Sequence, residues 1–397
     1  YAYGRLLFGL YGVLSYDVSQ GWNYYLMYRQ RSQNTVEING IGGIKTGNGD
    51  ISMNSNQRMD HFTNTVDVYK DLYDRDHTRQ VTFIKNNKKF YIVSDFLNAN
   101  GREDSALYDQ AWTPLADANL TLDEDTKIAK TNFQTGANVA FIPAEPSTLT
   151  KAFIDDGYSK NLNGQKTEGK LVSYQIEKTG NAKFNTIIYP FEGKASDTIR
   201  TAPIEVIGDS DEQASAFSAT LPDGNKMVYY INQEPEKKKS YGIYDATAQM
   251  AYVEKNTEEE IKFLSASNFS SLKENGRDIL TASRTLSDIS VEYTGNVTNI
   301  YTSDVLNLNA EYLIVHSNKN EKVALNGEEV PYLKIGDSIV IGTYSIKPSD
   351  LQSVDGKKAV VLPDGLSIGY PVKDKISTYW AYLNFEEGTT LSSEDIN

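Results

Sequence analysis

The chain has 397 residues, a formal net charge of −14 at pH 7 and no cysteine. Its length leaves room for two or three domains, since domains run to ~100–200 residues each. The lack of cysteine excludes disulfides, thiolate catalysis and cysteine-ligated metal. The acidic balance disfavours nucleic acid as a partner, because a duplex binder needs a basic face. No apolar run reaches the ~18 residues that a membrane span requires.

The first 43 residues form the segment richest in aromatic side chains. It ends with a polar segment, a short alternating strand over residues 35–38 and the pair Asn39-Gly40, which is typical of a hairpin turn. These residues alone predict an ordinary β-hairpin. The aromatic residues of the segment are Tyr1, Tyr3, Tyr11, Tyr16, Trp22, Tyr24, Tyr25 and Tyr28.

Strand patterns follow one another along the next part of the chain. Residues 46–60 predict a polar loop rich in glycine and asparagine. Short segments that alternate apolar and polar residues then predict strands at 66–73, 80–84, 89–95, 108–112, 137–142 and 171–176, and residues 184–191 predict a buried strand ending at Pro190. This spacing is typical of a large antiparallel sheet assembly.

A second β-region is predicted after a connection over residues 193–213. The connection itself contains one predicted strand, at 204–207, and the strands of the region are expected at 215–221, 226–232, 241–244, 250–254, 261–265, 290–293, 297–301 and 311–315. Ser270–Glu274 is the one segment that suggests a helical turn. Residues 321–345 predict closing hairpins around Asn326-Gly327, and residues 346–397 predict a small β module with strands in GYPV and TYWAYL. The fold class is therefore all-β, with domains at 1–195, 196–345 and 346–397.

Three stretches of the sequence resemble the β-sheet domain of heparinase II/III-type polysaccharide lyases. In the second stretch a His77-x-Arg79 strand leads to a strand ending at Asp95, and the third stretch runs from Tyr108 to Pro114. The resemblance extends over roughly residues 1–345. The matching residues of the first stretch are Tyr3, Gly4, Arg5, Leu6, Leu7, Gly12, Asn34, Thr35, Val36, Ile38 and Gly40.

The resemblance implies a large antiparallel β-supersandwich in two halves, over residues 1–195 and 196–345. In the family a helical (α/α) toroid precedes the sheet domain. Because the chain begins within the predicted first strand at Tyr1, we expect it to be the C-terminal piece of a longer polypeptide that is inactive without the toroid. The implied partners are an acidic polysaccharide and that toroid. The expected location is secreted, cell-surface or periplasmic, in a bacterium or phage.

The resemblance also implies a reaction, β-elimination next to a uronic acid. One group removes the proton beside the carboxylate and another protonates the leaving oxygen. A tyrosine performs both transfers if nearby cations lower its pKa. Tyr28 is the predicted catalytic residue, with Arg29 and Arg31 as the cations. The predicted substrate-binding residues are Arg31, Asn34, Tyr16 and Tyr25, and the two tyrosines are also alternatives for the catalytic role.

The resemblance fails at the family's metal site. Leu10, or Gly9 in a shifted register, and Gln33 stand where the family has metal ligands, so the sequence predicts no metal there and no cofactor. Asp123 and Asp125 are a weak alternative for calcium. His77 is expected to have a structural hydrogen-bonding role. The alternative function is a non-catalytic β-sandwich that binds glycan or assembles with other chains.

Overall fold

A computed structural model describes the chain over most of its length. The described residues are 4–8, 30–40, 49–66, 75–193, 199–204, 206–207, 211–318, 322–343, 352–354, 357–361, 367–372, 379–384 and 390–392. Contacts between Cα atoms divide the chain into two units. The first comprises Tyr1–Met53, Asp60–Pro203 and Ala219–Pro222, and the second comprises Asn54–Met59, Ile204–Ser218 and Asp223–Asn397.

Two antiparallel sheets build the first unit. One has the order β1-β6-β11-β10 and the other the order β2-β3-β4-β5-β12-β9-β8-β7. The strands are β1 (Val36–Ile38), β2 (Gly49–Ser55), β3 (Met59–Val66), β4 (Asp76–Ile84), β5 (Phe90–Asn98), β6 (Ser105–Trp112), β7 (Thr121–Leu122), β8 (Ala129–Lys130), β9 (Ala137–Pro143), β10 (Lys151–Lys160), β11 (Lys166–Thr179) and β12 (Ala182–Glu192).

Apolar side chains from both sheets form one core in this unit. Tyr108 and Tyr174 come from the four-stranded sheet and Phe141 from the eight-stranded sheet, and all three are fully buried. Burying a large apolar side chain of this kind stabilises the fold by ~1.5–3 kcal/mol. The Trp112 ring stacks on Phe141 with its centroid 5.9 Å away. The alternation in the sequence therefore reflects a sandwich with its core between two sheets.

The remaining strands, apart from a two-stranded hairpin, belong to a third sheet. The described pairings in it are antiparallel except for β21 with β23. The strands are β13 (Arg200–Ile204), β14 (Val206–Ile207), β15 (Ala214–Thr220), β16 (Lys226–Asn232), β17 (Lys239–Tyr241), β18 (Tyr244–Lys255), β19 (Ile261–Glu274), β20 (Arg277–Thr294), β21 (Val297–Tyr301), β22 (Tyr312–His316), β23 (Lys322–Leu325), β24 (Glu328–Glu329), β25 (Leu333–Ile335), β26 (Ser338–Gly342), β27 (Gln352–Val354), β28 (Lys357–Val361) and β31 (Thr390–Ser392), with β29 (Ser367–Val372) and β30 (Tyr379–Asn384) forming the hairpin.

The all-β prediction is confirmed. Helical structure within the described residues is limited to short 3-10 turns at Gln30–Gln33, Ala116–Ala118, Pro146–Thr148 and Asp211–Gln213. None of the helices described is long and apolar enough to cross a membrane. Both predicted Asn-Gly turns have the left-handed backbone that such turns need. The φ values are 52° and 72° at Asn39 and Gly40, and 52° and 90° at Asn326 and Gly327.

The predicted loop over residues 46–60 is wrong in its described part. Gly49–Ser55 forms β2, and β3 begins at Met59. The Asn56 side chain closes the turn between them, accepting hydrogen bonds from the backbone N–H groups of Arg58 (2.8 Å) and Met59 (3.1 Å). The strand β2 lies at the edge of its sheet and is exposed along nearly its whole length. Its only apolar residues are Ile51 and Met53, and this brief alternation stands among glycine, asparagine and serine residues that are typical of a loop.

Two predictions in the second β-region are also wrong. Ser270–Glu274 is the end of strand β19, where Leu272 pairs with Ala246 on one side and Leu280 on the other. Pairing with two neighbours overrides the local helical preference. The predicted strand at 241–244 is a turn instead, with β17 ending at Tyr241 and β18 beginning at Tyr244.

Candidate functional site

The predicted site residues divide into two groups. Tyr16, Tyr25 and Tyr28, together with Arg29, lie outside the described residues. Arg31 and Asn34 are described, and each has only 8% of its surface exposed. They stand at the 3-10 turn Gln30–Gln33 and just before β1, so they mark the end of the tyrosine-rich segment.

Arg31 is neutralised by two carboxylates. Its Nη1 lies 2.9 Å from Asp155 Oδ2, and its Nε lies 3.0 Å from Asp109 Oδ2. The Nε contact has ion-pair distance, but the N–H is not directed at the oxygen, so it is not a hydrogen bond. The guanidinium carbon lies 5.8 Å from the centre of the Phe153 ring. These contacts fix Arg31 within the protein, and they offset its charge.

Asn34 connects the start of β1 to the end of β6 through its side chain and to β4 through its backbone carbonyl. Its φ of 55° is in the left-handed region, which asparagine adopts more readily than most residues. The Thr113 N–H donates to Asn34 Oδ1 at 2.6 Å, and Arg79 Nη1 donates to the Asn34 carbonyl oxygen. The Thr113 hydroxyl also donates to the Arg31 carbonyl at 3.3 Å. The chain leaving the 3-10 turn is therefore anchored at three points.

A buried charge network centred on Asp95 adjoins Asn34, and Arg79 connects the two. The antiparallel register of β4 and β5 places Arg79 directly opposite Asp95, and His77 is its diagonal neighbour on the same face. Arg79 donates to both carboxylate oxygens, at 2.7 and 2.8 Å. His77 Nε2 lies 2.7 Å from Oδ1, and Gln110 Nε2 lies 2.7 Å from Oδ2. Since β6 carries Gln110, this network joins the two sheets of the first unit.

The electrostatics of the network keep Asp95 ionised. Burial acts to raise the pKa of Asp95, but the Arg79 guanidinium and His77 outweigh it and hold the pKa far below its usual range. The opposite balance applies to Asp109, where burial raises the pKa although Arg31 and the hydrogen bonds from Ser173 and Gln175 act against it. Asp95 is thus a permanent acceptor rather than a proton donor.

The network holds the backbone at Asn34, and its titratable groups His77 and Asp95 are not exposed to act as an acid or a base. His77 and Asp95 have 3% and 0% of their surfaces exposed, and both are used by internal hydrogen bonds. This agrees with the structural role expected for His77. Any proton transfer to a substrate in this region therefore depends on other side chains, among which Tyr28 remains the prediction.

Several residues that contact Arg31 or Asp95 were not singled out from the sequence. Asp109 and Gln110 carried a signal, because two adjacent polar residues stand inside the strand YDQAW, where both are buried. Asp155 has no recognisable sequence signal, since it lies in a polar segment 124 residues after Arg31.

Asp123, the weak calcium candidate, uses Oδ1 to accept hydrogen bonds from the Thr126 N–H and hydroxyl, each at 2.8 Å. The described residues contain no group of three or more potential metal ligands.

Comparison with solved structures finds heparan sulfate lyases among the structural neighbours of the chain. No protein-family model matches the chain, and a search of curated proteins finds no match either. A heparan sulfate lyase from Pedobacter heparinus, HepC, is 18% identical, with 58% of this chain and 35% of that one covered and a TM-score of 0.45. A heparinase III is 17% identical, with 58% and 34% covered and a TM-score of 0.46. The chain thus spans about a third of the length of these solved structures.

Proposed function

We propose that this chain is the β-sheet portion of a polysaccharide lyase that cleaves a uronate-containing glycan by β-elimination. The observation that carries the proposal is the convergence of three separate stretches of the sequence resemblance. Asn34 comes from the first, His77, Arg79 and Asp95 from the second, and Gln110 from the third, and they meet in one hydrogen-bonded network. Residues that match the family pattern and also lie together in one site support the proposal more strongly than a sequence match alone.

In the proposed reaction Tyr28 is the proton-transferring group. The proton beside the uronate carboxylate moves to a base, its electron pair forms the new carbon–carbon double bond, and the glycosidic carbon–oxygen bond breaks. The leaving oxygen takes a proton from an acid. Tyrosine serves in either role when cations lower its pKa. Since Arg31 is offset by Asp109 and Asp155, Arg29 is the remaining cation close in sequence.

The network's part in the proposal is positional. Arg79 of the network holds the Asn34 carbonyl, and Thr113 bonds to both Arg31 and Asn34, so the chain is fixed three to six residues after Tyr28. Catalytic groups require such support, because small displacements from the productive geometry lower rates steeply. The proposal also includes a helical toroid that completes the cleft, and a secreted, cell-surface or periplasmic location. Substrate contact by Arg31, Asn34, Tyr16 and Tyr25 stays a prediction.

A second candidate function is a non-catalytic sandwich that binds glycan or assembles with other chains. It is favoured by the burial of His77 and Asp95, which leaves the described part of this region without a solvent-facing acid–base pair. Formation of an unsaturated sugar separates the two candidates, because only the lyase makes that product.

The test of the proposed mechanism is the variant Tyr28→Phe in the full polypeptide, assayed on alginate, heparinoid, chondroitin and bacterial capsule glycans. Removing one hydroxyl while keeping the ring is expected to lower turnover by ~10²-fold or more, with glycan affinity nearly unchanged, since general acid–base catalysis contributes ~10²–10⁴. Tyr91→Phe, at an exposed position on β5 with no proposed role in the reaction, is the matched control and is expected to retain turnover. Wild-type turnover in Tyr28→Phe would remove this residue from the mechanism.

A further inference from the structure

A polar cavity of about 390 Å³ lies at one edge of the eight-stranded sheet, where β7, β8 and β9 meet the end of β12. This volume is within the range of small-molecule sites, which is ~300–1,000 Å³. None of its residues belongs to the Asp95 network. The side chains that give the cavity its chemistry are Thr121, Asp123, Lys130, Asn132, Gln134 and Phe191.

The wall of the cavity is held rigidly by Asn138. This side chain has 1% of its surface exposed and makes four hydrogen bonds. Its Oδ1 accepts from the Thr131 hydroxyl and the Phe133 N–H, both at 2.8 Å. Its Nδ2 donates to the carbonyls of Phe133 and Gly193, both at 2.9 Å. A preformed wall lowers the entropy cost of binding a ligand.

The groups that face the cavity suit a hydroxyl-rich ligand. Gln134 is exposed, so its amide is open to solvent, and the exposed Thr121 hydroxyl already accepts a hydrogen bond from Asn132 Nδ2 at 2.8 Å. The half-buried ring of Phe191 supplies apolar surface of the kind that packs against the carbon–hydrogen face of a sugar ring. A few convergent polar groups beside an aromatic ring are typical of a small-molecule site.

Lys130 is the only cation in the lining, and the described residues give it no ion-pair partner. Asp123 lies near enough to interact with it, although hydrogen bonds from Thr126 are the main cause that lowers the pKa of this carboxyl. One Asp123 oxygen is already used by its own turn. An ammonium group without an ion pair in a polar cavity favours a ligand with a negative charge.

We infer that this cavity is a binding site for one acidic monosaccharide unit of a glycan chain, with Lys130 contacting its carboxylate or sulfate and Gln134 its hydroxyls. The site binds without chemistry, so it goes beyond the proposed elimination reaction. It holds whether the protein is a lyase or a non-catalytic glycan binder.

The test is a calorimetric titration of the 397-residue chain with an alginate tetrasaccharide and a heparan sulfate tetrasaccharide, and with cellotetraose as the neutral probe. At least one acidic probe is expected to bind and cellotetraose is not. Lys130→Ala should weaken that binding roughly tenfold, as the loss of one charge-assisted contact does. Asp123→Asn should tighten it, because the amide keeps the turn's acceptor and removes a repelling charge.

The matched control is Lys178→Ala, which removes an exposed lysine on β11 and should leave the affinity unchanged. Unchanged binding in Lys130→Ala, or equal binding of cellotetraose, would overturn the inference, and so would the absence of binding by every probe. Circular dichroism of each variant verifies the fold. Since the readout is binding and not turnover, failure here is distinguishable from failure of the lyase proposal.

Discussion

The carboxylate of Asp95 receives four donors, two from Arg79 and one each from His77 and Gln110. Such a group is costly to bury and more costly to remove, because its partners are then left without compensation. Its value to the protein is the fixed position of Arg79, which in turn holds the Asn34 carbonyl. At the scale of single residues, the site is thus organised by a charge that never contacts solvent.

Replacing this carboxylate should destabilise the protein strongly. Asp95→Asn leaves the Arg79 guanidinium, whose side chain is only 18% exposed, without a charged partner and is expected to lower the free energy of unfolding by ~3–5 kcal/mol, measured by urea titration at pH 7. Asp156→Asn is the matched control, because that side chain is 86% exposed and its pairing with Lys170 is on the surface. Equal midpoints for the two variants would contradict the network's role.

His61 should titrate far below the usual range of histidine. Desolvation by burial lowers its pKa to about 4, although its hydrogen bond with Gln80 acts in the opposite direction. Since the unfolded chain binds the proton near pH 6.5, the stabilisation from neutral His61 is complete above that pH and is lost as pH falls towards 4. The full effect is ~3 kcal/mol at ~1.4 kcal/mol per unit of pKa.

Proton NMR of the imidazole resonances tests this value, with His61→Gln assigning the signal against His77 and His316. A midpoint near 4 is expected. The variant should also have a smaller loss of stability between pH 6.5 and 4 than the parent. A midpoint near 6.5 would show that the ring is solvated in the folded protein.

At the scale of strands and turns, two glycines are required for two different reasons, backbone conformation and space. Gly327 has a φ of +90° in the turn between β23 and β24, and a Cβ there would meet nothing within 4 Å. Gly342 at the end of β26 has a φ of +86°, and a Cβ there would lie 2.1 Å from the Glu311 carbonyl oxygen. The first position requires glycine for its backbone alone, and the second also requires it for space.

Gly327→Ala should therefore cost ~1 kcal/mol of unfolding free energy. Gly342→Ala should cost a further ~1–3 kcal/mol, because the neighbouring backbone must move to make room. Urea titration of both variants measures the difference. If Gly327→Ala proves as destabilising as Gly342→Ala, the close approach of Glu311 to Gly342 is not a constraint on the fold.

Strand succession and turn chemistry were predictable from the sequence, because both depend on neighbouring residues. The Asn39-Gly40 and Asn326-Gly327 turns, for example, are confirmed. Strand β2 was missed because its alternation is limited to Ile51 and Met53 and is surrounded by residues typical of a loop. The pairing of Arg31 with Asp155 was missed because it depends on long-range register between strands, which no local pattern contains.

For the whole molecule, net charge decides where an acidic glycan can bind. A chain with a charge of −14 repels a polyanion at long range, so binding requires local cations. Arg31 and Arg79 are both paired with carboxylates inside the first unit. Lys130 is not paired within the described residues, and Arg29 lies outside them. The proposed glycan contacts therefore depend on a few cations rather than on a broad basic surface.

Cleavage of glycan by elimination is the proposed function of the protein, and the appearance of unsaturated product tests it without any assumption about individual residues. The full polypeptide is incubated with the glycan panel, and the product is followed by its ultraviolet absorbance and by mass spectrometry. An unsaturated, strongly absorbing product is expected from at least one uronate-containing glycan, and none from residues 1–397 alone, since the proposed toroid side of the cleft is then missing. Glycan binding by the full polypeptide with no unsaturated product from any panel member would contradict the proposed function.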